Sequence, residues 1–599
     1  MKHPKYIIGI DLGTTNCVVS YIDKSYGESM ILSIPQITQP GIVENIDRLP
    51  SFIYIPTESE LENKSLALPW DENISYVIGQ YAMERGAQVP NRLISSSKSW
   101  LCHPNIDKTK AILPWNGAES IVKISPVQAA SAILKHLKMA WDFQNPENIL
   151  ENQEVFITVP ASFDTVAKEL TVTAANEAGI TNHILLEEPT SAFYAWLSNN
   201  GDNWRKSVTL GDIIIVLDIG GGTSDFSLIE VADDQGELIL NRIAIGEHLL
   251  LGGDNMDITL AYAVNAKFTE KGVKLTSSQM LELIHNCRTA KEKLLSNPDL
   301  QSLPITVLGS GRSVIGGSIQ STLLNNEVEE IILNGFFPNC NVGEMPLEKK
   351  AAGFKELGLH YAADPAITKH ISKFLCRHAQ IDTKTESNPD SKFIRPTKVL
   401  FNGGVTKATG IRNRVMEVLN SWLDSENAGL IIGNDPDLAV AIGASYYGLV
   451  KSGQGIRIRG GTARTYYIGI ETSMPAIPGM TPPIKALTVA SFGMEEGTDI
   501  KIVGQEFGLV VGENAVFRFF SSTVRKDDKT GTILDDWFDE DLIEHDPLEV
   551  TLSADNINIG TIVPVSLHSF LTEIGILELW AESIDSKNKW KLEFNVRND

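Results

Sequence analysis

Residues 213–231 read IIIVLDIGGGTSDFSLIEV. Ile213–Leu217 are β-branched or aliphatic, as a buried strand requires, and Phe226–Val231 supply a second strand. Between them lies a turn from Asp218 to Asp225, with glycine at 220, 221 and 222. Residues 8–22, IGIDLGTTNCVVSYI, repeat the order strand, Asp-x-Gly turn, strand. The repeats lie about 200 residues apart, an interval that implies two related halves with both turns at one cleft.

The turn chemistry suggests a ligand. Gly13 with Thr14, Thr15 and Asn16 lets backbone N–H groups and hydroxyls approach phosphate oxygens. Asp11 is repelled by phosphate, but can hold Mg²⁺ through the waters that ion retains. Taken alone, DLGTT is as well read as a plain β-turn. The second hairpin, from Asp218 through Gly220, Gly221, Gly222 and Thr223, offers the same chemistry with more glycine. Successive glycines carry an entropic cost that a close ligand approach explains better than a bend. Gly403 and Gly404, in FNGGVT after a strand, suit a purine and ribose. Gly252 and Gly253, in LLLGGD, offer another surface near phosphate, although a bare turn explains them nearly as well.

The chain has 599 residues, 43% hydrophobic and 21% charged, so large cores can form. Its net charge of −24 argues against nucleic acid and anionic membrane as partners. Cys17, Cys102, Cys287, Cys340 and Cys376 are odd in number, scattered and never in a CxxC spacing, which argues against a disulfide framework or a zinc site. No apolar run reaches the roughly 18 residues of a membrane span, and the N-terminus does not read as a signal peptide. A monomeric cytoplasmic protein is the expectation. Helices are expected at VQAASAILKHLKMAWDF, at DTVAKELTVTAANEAG up to Gly179, after HILLEE, over 277–296 and at DPDLAVAIGASYYGLV. The last is rich in small residues, suited to close backbone packing. SFIYI reads as a strand and 382–395 as an exposed loop. His360, His370 and His378 read as helix-surface residues, Trp537 and Trp580 as packing residues. From about Thr465 the chain alternates in strand fashion, without a long helix.

Eight segments then occur in the order of the heat-shock 70 kDa (DnaK-type) chaperone family: IGIDLGTTN, ISSSKSWL, VPASF, LLEEPTSA, LDIGGGTSD, GEHLLLGGDNMD, FNGGVTK and DPDLAVAIGA. The chain resembles that family's ATPase domain from residue 5 to about 450. The resemblance implies an α/β fold: a two-lobed actin-like (ribonuclease H-like) ATPase domain over 1–450, each lobe carrying a five-stranded sheet, with ATP or ADP and Mg²⁺ between them. The strand-rich run resembles that family's β-sandwich substrate-binding domain, so an all-β sandwich-like domain is expected over 465–599. In departure from the family, the Gly-rich, polar stretch 451–464 stands as the linker in place of an apolar, acidic one, and no helical lid is expected after the sandwich. It further implies that Lys98 is the catalytic lysine that orients the attacking water. Glu188 helps position metal and water, Asp218 stands on the magnesium side, and Asp225 lies near the water. Lys291 and Asp437 join Gly403 and Gly404 around adenosine. The implied reaction is in-line attack of water on the γ-phosphoryl.

Departures from the family pattern fall in NCRTAKEKLLS. Arg288 stands where the family has glutamate, and Glu292 and Leu295 are unusual there; Val405 replaces a serine. Segment 346–375 has no counterpart. The expected function is an ATP-switched chaperone-like protein whose β-domain takes unfolded or extended peptide or a partner, with a co-chaperone or exchange factor as candidate partners. The alternatives are a nucleotide-gated actin-like scaffold and a small-molecule (sugar-type) kinase.

Overall fold

The computed structural model describes residues 4–62, 64–103, 106–115, 117, 120–161, 163–234, 237–247, 249–297, 299–308, 318–348, 362–379, 392–423, 427–462, 464–472, 484–537, 541–552, 558, 560–585 and 587–596. The chain divides into two compact units, Met1–Arg457 and Ile458–Asp599.

Both expected hairpins form. The first joins β1 (Tyr6–Asp11) to β2 (Asn16–Asp23), and β3 (Ser29–Ile31) continues it. β4 (Glu154–Val159) runs parallel to β1, and β5 (His183–Glu187) parallel to β4, giving the order β5-β4-β1-β2-β3. The second hairpin joins β6 (Ile213–Ile219) to β7 (Ser224–Asp234), followed by β8 (Glu237–Ile245). β9 (Lys398–Asn402) runs parallel to β6 and β10 (Gly429–Ile431) parallel to β9, giving the order β10-β9-β6-β7-β8. These five strands follow the same order in both sheets, but each sheet has six strands where five were expected; in the first, the sixth is Leu49–Pro50, paired with the start of β2. The repeat read in the sequence is therefore a repeat of sheet topology.

Helices cover these sheets, and their ends follow the local chemistry. α1 is the short Ser97–Leu101. α2 (Pro126–Gln144) starts with a capping box in which the Ser125 hydroxyl accepts from Gln128 N–H at 3.0 Å. α3 (Thr165–Glu177) is capped by Asp164, which accepts from Ala167 N–H at 2.7 Å. It stops before Gly179, whose φ of +78° is left-handed. α4 (Glu188–Asn200) leaves β5 directly, with Pro189 in its first turn. α5 (Gly253–Glu270) and α6 (Ser277–Ser296) pack together in the core of the second half. α7 (Ile367–Arg377) and α8 (Thr409–Trp422) bury an apolar face there as well.

α9 (Ala439–Lys451) returns to the first sheet, and its small residues explain how closely it lies. A Cβ on Gly443 would sit 1.6 Å from Ser191 O in α4, and one on Gly9 in β1 would sit 2.4 Å from Ala441 O. The Ser191 hydroxyl donates to Val440 O at 2.7 Å, closing the helix pair.

In Ile458–Asp599, β11 (Thr465–Glu471) pairs with β12 (Ile484–Ala490) and with Phe519–Ser522. A second antiparallel sheet holds Thr561–Leu571, Ile576–Ser583 and Lys589–Asn595, extended by Thr498–Lys501 and Phe507–Val511. Both sheets feed one core, in which Phe519 stacks on Phe594 at 4.2 Å. No helix occurs among the described residues of this unit.

Several expectations shift. SFIYI yields only the two-residue strand Ile53–Tyr54, which pairs with short strands on both sides. Within 451–464, Ile458–Arg459 are extended as a strand and Gly461 bridges Glu495. Of 346–375, residues 349–361 lie outside the described residues, His360 with them, and so do 382–391 of the expected loop 382–395. His370 Nε2 donates to Asp364 O at 3.0 Å, and Trp537 packs on Phe520. No helix of the described residues is long and apolar enough to cross a membrane.

Candidate functional site

The turns of the two hairpins meet. A Cβ on Gly221 would lie 2.1 Å from Thr15 Oγ1, and one on Gly222 would lie 2.9 Å from Thr14 Cγ2. Glycine at 221 and 222 is thus required for the two halves to touch. The start of α5 buttresses the second turn, since Gly253 N–H donates to Gly220 O at 3.0 Å and Asp254 N–H to Gly221 O at 2.7 Å. Gly403, at φ +82°, brings the turn after β9 against the end of β6; a Cβ there would sit 2.3 Å from Ile219 O.

A cavity of about 420 Å³ opens where these turns converge. Gly13, Thr14, Thr15 and Asn16 line it from one side, and Gly220, Gly221 and Thr223 from the other. Asp11, Lys98, Glu188 and Asp218 project into its floor. Gly253, Lys291, Gly403, Gly404 and Asp437 line the remaining wall. Gly222 and Gly252 are not on its surface: Gly222 packs on Thr14 and Ser99, and Gly252 on the backbone of Gly220 and Gly221. Asp225 is buried opposite Asp218 in the β6–β7 register, behind the cavity rather than in it.

The floor is crowded with negative charge. The Lys98 ammonium contacts the Glu188 carboxylate, and both are buried. α1 holds Lys98 there with every residue of its single turn buried, entered through Ser96 at φ +52°. That conformation is strained for a non-glycine residue. The neighbouring Glu187 turns elsewhere, toward Arg242 and Lys168. Adjacent glutamates at the β5–α4 junction are thus split between structure and site. Thr158 Oγ1 donates to Asp11 at 3.2 Å and Asn402 Nδ2 donates to Asp218 at 2.9 Å.

Burial, with the nearby Glu188 charge, pushes Asp11 up to about 7. Burial and the same glutamate push Asp218 well above the usual carboxylate range. Burial also raises Glu188 against the pull of Lys98. Burial pulls Lys98 down, but Glu188 and Asp11 together outweigh it and hold the ammonium above its usual value. One lysine therefore faces three carboxylates in a desolvated space. Such a floor suits added positive charge. Among the described residues, no three potential ligand side chains converge as a direct metal set. A hydrated Mg²⁺ held through its waters fits this donor set, since that ion gives up water reluctantly.

The substituted rim is internally balanced. Arg288 contacts Asp254 and also pairs with Asp257 at 2.7 Å, and Lys291 pairs with Asp257 at 2.6 Å. Burial pulls the Arg288 guanidinium down, but Asp254 and Asp257 more than offset it. Arg288, Glu292, Leu295 and Val405 all line the cavity. At the opposite edge Asp437 contacts Arg48 and pairs with Lys407 at 2.5 Å. Sequence reading missed Arg48, which belongs to no motif, and gave Asn402, Lys407 and Thr158 no role. Asn402 and Lys407 lie within a quoted segment, and their chemistry could have singled them out.

Known proteins show the same kinship. The family model described as Hsp70 protein matches residues 88–336. The chaperone protein DnaK of Stenotrophomonas maltophilia is 26% identical over 400 residues, covering 64% of this chain and 57% of that protein. DnaK of Carsonella ruddii is 28% identical over 352 residues, covering 56% and 53%. The mitochondrial iron-sulfur cluster biogenesis chaperone of Saccharomyces cerevisiae is 25% identical over 533 residues, covering 84% and 70%. The chain spans a little over half the length of these two DnaK relatives. A match to the Hsp70 model implies the actin-like ATPase fold, followed here by a β-rich C-terminal region.

Proposed function

We propose that this chain, a divergent member of the Hsp70 family, binds ATP with Mg²⁺ in the cavity between its two hairpins and hydrolyses the γ-phosphoryl. The observation that carries this is the Lys98–Glu188 pair, buried between Asp11 and Asp218 at the meeting point of two topologically matched hairpins. Residues 1–450 form the two-lobed nucleotide domain in this reading, and 465–599 a β-sandwich joined through 451–464.

The roles follow from charge and position. Thr14, Thr15 and the glycine turns receive the phosphates. Lys98 offsets charge on the transferred group and orients water, while Glu188 holds the lysine in place. Asp11 and Asp218 keep a hydrated magnesium ion, which supplies charge neutralisation of the phosphate oxygens. Asp225, behind Asp218, adds negative charge that keeps the floor receptive to the cation. Asp437, Lys291, Gly403 and Gly404 border the adenosine, with Gly252 and Gly222 supporting the turns. Nucleotide state is relayed to the C-terminal β-domain, which holds extended peptide or a partner.

The test is magnesium-dependent ATP turnover, with and without an unfolded peptide, beside Lys98→Ala. Turnover in the parent that falls by about 100-fold or more in the variant supports the catalytic reading. Turnover altered by peptide supports the relay. Equal turnover in parent and variant would refute the role of Lys98.

A further inference from the structure

A second cavity, of about 320 Å³, lies on the other side of the first hairpin within Met1–Arg457. It shares Thr14, Thr15, Asp254 and Arg288 with the first. Its chemistry is different. Leu93, Ile94, Ile258 and Ile284 give it an apolar lining, and Trp115 lines it as well. Trp115 is half-buried and stacks on Trp100 with ring centroids 4.9 Å apart and an interplanar angle of 30°. Trp100 itself is buried in α1, so it gives Trp115 a packed partner. The volume reaches the range of small-molecule sites, which begins at about 300 Å³.

The polar groups restrict the ligand. Asp254 and Arg288, the charged pair at this wall, are paired with each other, and Asp254 also accepts from the Ser96 hydroxyl at 3.2 Å. A charged ligand would have to compete with that largely buried pair, and breaking a buried pair costs several kcal/mol on general grounds. His285 also lines the cavity. Burial, and then the Arg288 charge, hold its imidazole below the usual value, so at neutral pH it offers one donor and one acceptor.

We propose that this second cavity binds a small, neutral, planar aromatic molecule, laid against Trp115 and hydrogen-bonded by His285. Aromatic stacking combined with a few polar anchors is the usual division of labour in such sites, and here the hydroxyl residues Thr14, Thr15, Ser95 and Ser96 line the cavity beside His285. The proposal stands apart from the nucleotide reading, because the site can be titrated without nucleotide or magnesium.

Fluoroindole followed by fluorine NMR supplies the probe. Saturable binding to the nucleotide-free chain at one site is expected. Ala87→Trp and Leu281→Trp fill the cavity from two different walls. Each should weaken binding by at least about tenfold while keeping the parent melting transition. Leu281 is 41% exposed, so its replacement spares the core if Ala87→Trp fails to fold. Tyr262→Ala, on an exposed face elsewhere, should bind as the parent does. Binding that does not saturate, or that survives both filling substitutions, would overturn the proposal. Indole acetate binding as tightly as fluoroindole would overturn the requirement for a neutral ligand.

Discussion

Replacing Asp11 by asparagine should make the nucleotide-free protein more stable while abolishing ATP turnover. Asp11 is held at about 7 by burial and by Glu188, against an ordinary value of 3.8. That displacement corresponds to about 4 kcal/mol at about 1.36 kcal/mol per pH unit. Asp11 is partly accessible through the cavity, so water screens it and the realised gain should be about 1–2 kcal/mol. Asparagine keeps an oxygen to accept from Thr158, so the change removes charge and little else. The sign with pH is fixed by linkage. A carboxyl whose folded value is raised stabilises fully below its unfolded value, and that contribution is lost as pH rises through the folded one. The advantage of Asp11→Asn should therefore grow between about pH 4 and about pH 7 and level off above. Denaturant titrations in chelator, across that range, read it directly. A variant less stable than the parent at about pH 8, or a gain independent of pH, would refute the reasoning. Magnesium and ATP should then stabilise the parent more than the variant, reversing the order.

Two further outcomes follow from the same geometry. Arg48→Ala removes the contact between Arg48 and Asp437 at the cavity edge; with Arg48 45% exposed the pair is worth at most about 1 kcal/mol, so stopped-flow release of a fluorescent nucleotide should quicken by up to about fivefold, and raised salt should reproduce this in the parent. Release rates equal in variant and parent at low salt would deny the pair any gating role. Gly443→Ala forces a methyl against Ser191 backbone and should cost about 3 kcal/mol or more in thermal unfolding, whereas Gly410→Ala in α8, with open space around it, should be neutral or gain up to about 1 kcal/mol. Comparable melting temperatures for the two glycine variants would contradict the close packing of α4 on α9.

The sequence by itself determined the elements whose signal is local. Both hairpins were legible because a β-branched run, an Asp-x-Gly turn and a second β-branched run occupy consecutive residues. The start of α3 was legible in Asp164 and its end in Gly179. The cavity floor was legible only in part: Asp11 and Asp218 sit in their own turns, whereas Lys98 needed the resemblance to stand out from any surface lysine. SFIYI misled because four successive apolar or aromatic residues, Phe52–Ile55, satisfy a strand pattern, while pairing with the short strands on both sides is confined to Ile53 and Tyr54.

Only the tertiary structure decided which residues share a space. It set Asp225 behind Asp218, separated Glu187 from Glu188, and brought Arg48 to Asp437 across 389 residues of sequence. It also balanced Arg288, which as sequence is a reversed charge, with Asp254 and Asp257. The physical reason is range. Hydrogen-bonded turns and helix caps are settled within a few residues, but burial and Coulomb interaction depend on through-space distance, which chain order does not encode.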